Sequence, residues 1–341
     1  MQIQQAIAQI VERRSLTMEQ ARAAMDQIMS GNATDAQIGA YITALRMKGE
    51  TVDEIAGSAL AMREMALKVK APEGAVIVDT CGTGGDASGT FNISTTVAFV
   101  VAASGVTVAK HGNRSISSKS GSADVLTALG VNIDADMSVV ETCLREVGIG
   151  FLFAPRLHGA MKHAMGPRKE LAIRTVFNLL GPLTNPAGAE AQLIGVFDSA
   201  WTEPMARVLG RLGSKRAIVA HGSDGLDEIT VTGLTQVAEL KADGSVSRYM
   251  ISPGDLGLTS CTAEELKGGD AEENAAITRA VLGGEQGPKR DIVVINAAAA
   301  LYVSGMVSSI KEGMEMAAQA IDSGRALQRL DMLAQTSNVS V

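Results

Sequence analysis

Aromatic side chains are scarce in this sequence, at 3% of 341 residues, with a single Trp. Its core must therefore be built from aliphatic and small residues, which suits close packing of helices on a sheet and close approach of backbone to a ligand. Cysteine is nearly as rare. Cys81, Cys143 and Cys261 stand far apart. No spacing suggests zinc or a disulfide framework, and the odd number fits a reducing compartment. Long apolar runs are missing too. The stretch around Thr96–Ala103 is too short to span a membrane. There is no long basic run, and the net charge is −7. An electrostatic nucleic-acid footprint is thereby excluded, so phosphates would have to be met by local basic residues and backbone N–H groups. The opening residues, MQIQQAIAQIVERR, lack the layout of a signal peptide, so the expectation is cytoplasm, with neither membrane nor nucleic acid as a partner.

What is present is ordinary for a globular chain: 46% apolar and 20% charged residues, in a length that suits one large domain or two. The first 70 residues read as helical. Thr17–Gln20, Thr34–Gln37 and Thr51–Glu54 each form a capping box, in which a Thr hydroxyl and a Gln or Glu side chain satisfy each other's backbone N–H. Gly31 and Gly49 fall where helices should end. Ile38, Tyr41, Ile42 and Leu45 recur at helical spacing. A small helical domain over 1–70, completed by helices within about 170–186, is expected to precede an α/β domain over 73–341. There the pattern changes. Ala75–Val78 reads as a buried strand, Ser94–Ser104 as a helix and Val106–Ala109 as a second strand, a βαβ unit that implies a mostly parallel sheet. Further strands are expected at 150–153, 193–197, 217–220, 229–232 and 292–295, with helices at 123–129, 138–147 and 271–282. The fold class is α/β: a small N-terminal helical domain plus a larger α/β domain with a mostly parallel central sheet.

Four clusters carry chemistry. The first follows the first strand: Asp79-Thr-Cys-Gly82-Thr-Gly84-Gly85-Asp86, then Thr90 and Phe91-Asn92-Ile93-Ser94-Thr95 opening a helix. Glycines let the backbone approach an anion, and a helix N-terminus offers free N–H groups to phosphate. The turn is neither a Gly-x-Gly-x-x-Gly fingerprint nor a P-loop. A second cluster, Lys110-His-Gly-Asn-Arg-Ser-Ile-Ser-Ser118, leaves the C-terminal end of the next strand, the edge where open α/β sheets bind ligands. Lys110 offers a point charge and Arg114 a fork, and Ser122 extends the polar surface. Third, the Asp227-Glu228 pair lies on a loop after His221-Gly-Ser-Asp-Gly. Such pairs suit magnesium, although a bare Asp-Glu dipeptide is more often a solvated acidic turn. Fourth, His158 and His163 precede Arg168, a natural bidentate partner for a carboxylate. His163 reads equally as a core hydrogen-bonder.

Gly82-Thr-Gly-Gly-Asp86, Asn92-Ile-Ser-Thr95, Lys110-His-Gly-Asn-Arg-Ser115, Phe177–Pro186 and Asp224–Glu228 together resemble the anthranilate phosphoribosyltransferases, a family of the nucleoside-phosphorylase-like class. The similarity runs in order along nearly the whole chain. It implies transfer of a phosphoribosyl group from phosphoribosyl pyrophosphate to the amine of anthranilate, an early step of tryptophan biosynthesis. By position it places the donor on Gly82, Gly85, Asp86, Thr90, Asn92, Ser94, Thr95, Lys110, His111, Gly112, Asn113, Arg114, Ser115, Ser117, Ser118 and Ser122. It places anthranilate on Gly82, Asn113, His158 and Arg168, and magnesium on Ser94, Asp227 and Glu228. No acid, base or nucleophile is assigned, because anthranilate's amine is already neutral; catalysis would rest on positioning and the metal. The resemblance also implies a homodimer through the helical domain. One departure stands out: Leu157-His158-Gly159 replaces the commoner His-His-Pro before Ala-Met-Lys. The rival readings are a pyrimidine nucleoside phosphorylase of the same fold and a catalytically silent binder of phosphate metabolites.

Overall fold

The computed structural model describes residues 1–84, 88–115 and 119–339. It opens with α1 (Ile3–Val11), α2 (Met18–Met29), α3 (Asp35–Lys48) and α4 (Val52–Met65). The three capping boxes form as their spacing requires, each contributing about 1 kcal/mol to its helix. Glu54 does more than cap. It is buried, accepts from Leu16 N–H at 2.9 Å and pairs with Lys48 at 2.9 Å, which ties the α1–α2 linker to α4. Ile38, Tyr41, Ile42 and Leu45 are all buried.

The sheet has seven strands: β1 (Ile77–Gly82), β2 (Thr107–Gly112), β3 (Ile149–Phe153), β4 (Ala191–Gly195), β5 (Arg216–Gly222), β6 (Thr235–Leu240) and β7 (Val246–Ile251), in spatial order β3-β2-β1-β4-β5-β6-β7. The first five pair in parallel, and β6 and β7 extend the sheet antiparallel. Helices α5 (Ile93–Ala103), α6 (Ser122–Ala128) and α7 (Met137–Thr142) lie between β1 and β3 in sequence. Then come α8 (Ala154–Leu157), α9 (Lys162–Leu171) and α10 (Phe177–Leu180) before β4, and α11 (Thr202–Arg211) before β5. The chain closes with α12 (Ala271–Leu282), α13 (Pro288–Ser304), α14 (Ile310–Asp322) and α15 (Arg325–Ser337).

Two expected strands are corrected. Residues 292–295 lie inside α13, a helix buried nearly all round, and 229–232 form an irregular loop. A short apolar run cannot by itself distinguish a buried strand from a buried helix. Conversely, β1 runs on through the polar Asp79 and Thr80 because residues 78–82 pair with β4.

Successive strand residues face opposite sides. Leu193, Ile218 and Ala220 join a core with α5, α13 and α15, whereas Ile194, Ala217 and Val219 join a second core with α11 and the N-terminal helices. Segment 162–183 belongs to that second core: α9 packs on α2 and α3, and α10 on α4. Arg63 of α4 adds hydrogen bonds to the Leu183 and Leu212 carbonyls at 2.6 and 3.2 Å. Among the described residues no helix is long and apolar enough to cross a membrane.

Candidate active site at the switch point of the sheet

From β1 the chain winds outward through β2 and β3, and β4 starts the other direction through β5. The reversal between β1 and β4 opens a crevice beyond their C-terminal ends, the position where α/β sheets bind ligands. Four of the parallel strands, β1, β2, β4 and β5, end in glycine. At Gly82 and Gly195, paired across β1 and β4, that choice is steric. A Cβ on Gly82 would fall 2.2 Å from Asp227 Oδ2, and one on Gly195 would fall 1.4 Å from the Asp227 carbonyl oxygen. The loop carrying Asp227 and Glu228 therefore lies directly on the switch point. Asp227 Oδ2 accepts from Gly84 N–H at 2.8 Å, and Thr83 is fixed by N–H donation to Gly195 O and acceptance from Phe197 N–H. Gly-rich turn and acidic loop thus form one unit.

The loop's shape comes from side chains, because no ladder holds 229–232. Asp224 accepts from the Thr230 and Thr232 hydroxyls, and Asn296 of α13 bonds both backbone groups of Ile229.

On the other side of β1, Lys110 is buried, with Nζ donating to the Thr80 carbonyl and to Ser94 Oγ at 3.2 Å. Its charge sits beneath the edge, next to the α5 N-terminus. Asp79 is fully buried and accepts from His111 N–H at 3.2 Å and Asn185 Nδ2 at 2.8 Å; burial raises its pKa against the pull of Lys110. Asn185 also donates to Ala109 O at 2.8 Å, so it ties β1 to β2. Asn92 joins the Ser120 carbonyl to Asn274 of α12. Asp124, in the first turn of α6, draws Arg114, Ser115 and Gly121 together by accepting from Ser115 N–H, Gly121 N–H and Arg114. Burial opposes ionisation of Asp124, but these donors hold its pKa below the usual range. Arg114 gives one N–H of its fork to Asp124 and lies 5.9 Å from the Phe153 ring centre. Ser122 donates to Asn113 O, Asn113 is exposed, and Thr95 is buried. Thr90 bridges to Lys267. Gly85, Asp86, Ser117 and Ser118 lie outside the described residues.

His111 and His158 meet at 3.2 Å between their Nε2 atoms, and both are buried. Burial, then the proximity of His158 and Lys110, pushes His111 down to about 3; burial, then Lys68, pushes His158 down to about 4. Both rings are neutral at pH 7. Their Nε2–Nε2 contact needs one ring to donate and the other to accept, so the two neutral rings carry their protons on different nitrogens. The fold binds fewer protons than the unfolded chain at these two sites, so their stability contribution is complete above about pH 6.5 and lost as pH falls toward 4. His158→Gln should flatten the decline of melting temperature between neutral pH and pH 4; an unaltered slope would assign the acid sensitivity elsewhere.

His158 also borders an apolar recess lined by Met29, Met62, Met65 and Met161, between the N-terminal helices and the sheet unit. Arg168 of α9 is half-buried with its guanidinium 5.0 Å from the Phe177 ring centre. Among the described residues it makes no hydrogen bond or ion pair, an unspent fork in a site where burial lowers its pKa. His163 packs its ring on Gly31, 2.8 Å from where a Cβ would stand, a contact between α9 and the α2–α3 turn. The contributions of Asp124, Asn274 and Asn296 carry no signal in the sequence, whereas Asp79 and Thr83 stand in the first Gly-rich cluster and Asn185 in the Phe177–Pro186 motif, without individual roles.

Comparison with known proteins agrees with this architecture. Residues 4–66 match the helical bundle domain, and residues 74–327 the a/b domain, of a glycosyl transferase family. Anthranilate phosphoribosyltransferases from Geobacter sulfurreducens and Acetivibrio thermocellus are 55% and 56% identical, over 98% of this chain and 99% and 97% of theirs. Among solved structures, anthranilate phosphoribosyltransferase from Thermus thermophilus superposes with a TM-score of 0.93 at 43% identity, covering 98% of this chain and 99% of that one. The enzyme from Saccharomyces cerevisiae, in complex with PRPP and Mg, gives 0.88 at 27% identity, covering 98% and 97%. This chain, with its helical bundle and its sheet unit matched end to end, belongs to the anthranilate phosphoribosyltransferase family of glycosyl transferases.

Proposed function

We infer that the protein transfers the 5-phosphoribosyl group from phosphoribosyl pyrophosphate to the amine of anthranilate, giving N-(5-phosphoribosyl)anthranilate and pyrophosphate, in tryptophan biosynthesis. The observation that carries this is the crevice between β1 and β4, with a Gly-rich turn and a helix N-terminus on one wall and an acidic pair on the other. The donor's phosphates belong on the Gly82–Gly84 turn, the start of α5 and the polar groups of Asn113, Arg114, Ser115 and Ser122. Asp227 and Glu228 fit magnesium: they are hard oxygen ligands, Asp227 occupies a cradle that a Cβ at Gly82 would fill, and two carboxylates leave room for phosphate oxygens and water. Ser94, beside Lys110, is a further oxygen ligand on the β2 side. When bound, magnesium supplies charge neutralisation to the departing pyrophosphate.

Arg168 is placed to hold the anthranilate carboxylate with its unspent fork. The amine is a neutral nucleophile, so the chain's task is to position it behind the anomeric carbon and exclude water, with inversion at that centre. Two neutral histidines keep cationic charge away from the nucleophile. We also propose a homodimer through the helical unit, where Val11 and Met47 are exposed close together, Arg13 donating to the Met47 carbonyl at 3.3 Å.

The test is anthranilate fluorescence with donor, with and without magnesium. Decay is expected only with enzyme, donor and magnesium together. In the same assay Arg168→Ala should raise KM for anthranilate by about 10- to 100-fold and leave KM for the donor nearly unchanged. No decay with a folded protein, or phosphorolysis of thymidine without magnesium, would overturn the assignment.

A further inference from the structure

We propose that Asn296, on α13, is the positioning residue that sets where Asp227 and Glu228 stand, and so governs how the site takes its divalent cation; this rests on the magnesium reading above. Asn296 lies amid a run of apolar residues, Ile292–Ile295 before it and four alanines after it, and it is fully buried. Its side chain faces the acidic loop. Oδ1 accepts from Ile229 N–H at 3.0 Å, and Nδ2 donates to Ile229 O at 2.8 Å and to Ile292 O at 2.8 Å. Ile229 directly follows Glu228. One amide thus fixes the peptide planes on both sides of Ile229, the first of them shared with Glu228, as a neighbouring strand would, at a point where the chain has no strand partner.

The opposite side of the loop has no slack. Asp227 rests on Gly82 and Gly195, where even a methyl group would overlap it. The acidic pair is therefore held between two glycine-ended strands and one helix-borne amide. Asp224 closes the turn before it through the Thr230 and Thr232 hydroxyls. Removing the amide would leave the Ile229 N–H and C=O buried and unpaired, a state the loop can relieve only by moving. Movement there displaces the carboxylates, because Glu228 shares a peptide bond with Ile229. Groups behind metal ligands exert their effect in this way, by orienting ligands they do not replace.

The experiment is calorimetric titration of phosphoribosyl pyrophosphate into the whole protein, with and without magnesium, alongside thermal melting. In the unaltered protein magnesium should strengthen donor binding. Asn296→Ala should reduce that gain by about 10- to 100-fold, while KM for anthranilate stays unchanged. Val293→Ala, a fully buried position on the same helix, should lower melting temperature but leave the gain intact. Should Asn296→Ala fail to fold, Asn296→Asp decides the question. It keeps an acceptor for Ile229 N–H and loses both donations, and a partial loss of the gain is expected. A gain that survives in the folded Asn296 variant, as in Val293→Ala, would reduce Asn296 to a packing role and overturn the proposal. Asp227→Asn separates the two layers: if it too keeps the full gain, the magnesium reading falls instead.

Discussion

Converting the acidic pair to amides, Asp227→Asn together with Glu228→Gln, should abolish magnesium-dependent turnover, a loss on the order of 10³-fold or more, while the protein stays folded. The two outcomes separate because the substitution is nearly isosteric. Asp227 Oδ2 accepts from Gly84 N–H, and the oxygen of an asparagine side chain can accept the same bond. The fit over Gly82 and Gly195 is likewise a matter of shape, which the amide preserves. What is lost is charge, and with it the ligands that a hard cation requires. Burial sharpens the effect: Asp227 is only 9% exposed, so water substitutes poorly for its carboxylate. The measurement is turnover against magnesium concentration, beside a thermal melt. Turnover that persists in the double variant with an unchanged magnesium curve would place the metal elsewhere. Lost turnover with an unchanged melt would establish the pair as electrostatic machinery.

The parts of this molecule that were legible in sequence are those whose partners are near in sequence. A capping box spans three residues, so Thr17, Thr34 and Thr51 announced their helices. The elements of the first βαβ unit are close in sequence, so its order was legible although β1 and β2 run on to Gly82 and Gly112, and α12 was read with its observed bounds, Ala271–Leu282. The strand expected at 292–295 failed because a fully buried helix and a fully buried strand are both continuous apolar runs; the alanines that follow were the clue to a longer element. The β6–β7 hairpin was missed although it alternates and turns at Asp243-Gly244. The strand expected at 229–232 failed for a physical reason that matters to function. Its Ile, Thr and Val have strand propensity, yet apart from the Val231 carbonyl, which accepts from Cys261 N–H, its hydrogen bonds go to side chains such as Asn296, Thr235 and Asp224, so the chain is free to project the acidic pair.

The site divides in the same way. Glycine-rich turns and an Asp-Glu pair are visible as composition. The groups that hold them are not. Asn185 reaches Asp79 across 106 residues, and Asn92 meets Asn274 across 182. Nothing local in the sequence marks a buried amide as the one that ties two strands together. Lys110 illustrates the converse. Its type suggests a phosphate ligand, yet the fold buries it against Thr80 and Ser94, where it acts on the edge from beneath.

Gly195→Ala should be as damaging as loss of the carboxylates, by a wholly steric route. The added methyl would sit 1.4 Å from the Asp227 carbonyl oxygen and 2.1 Å from its carbon. Both are backbone atoms, so no rotamer change relieves the overlap. Strand β4 cannot retreat, because it is paired with β1 on one side and β5 on the other. The loop cannot retreat freely either, since Asn296 holds Ile229 from behind. The strain must divide between the two, with a stability cost of about 1–3 kcal/mol or more and a displaced acidic pair. Melting temperature and magnesium-dependent donor binding should therefore fall together. Gly39→Ala is the matched control. That glycine lies inside α3 with nothing near its Cβ position, so alanine there should stabilise by about 0.5–1 kcal/mol and leave activity alone. If Gly195→Ala melted and bound its donor as the unaltered protein does, the contact between the acidic loop and the end of β4 would be too loose to set the geometry of the site. Loss of magnesium-dependent binding, with a lowered melt, would mean that the absence of one methyl group at the end of a central strand lets the acidic loop settle onto the switch point.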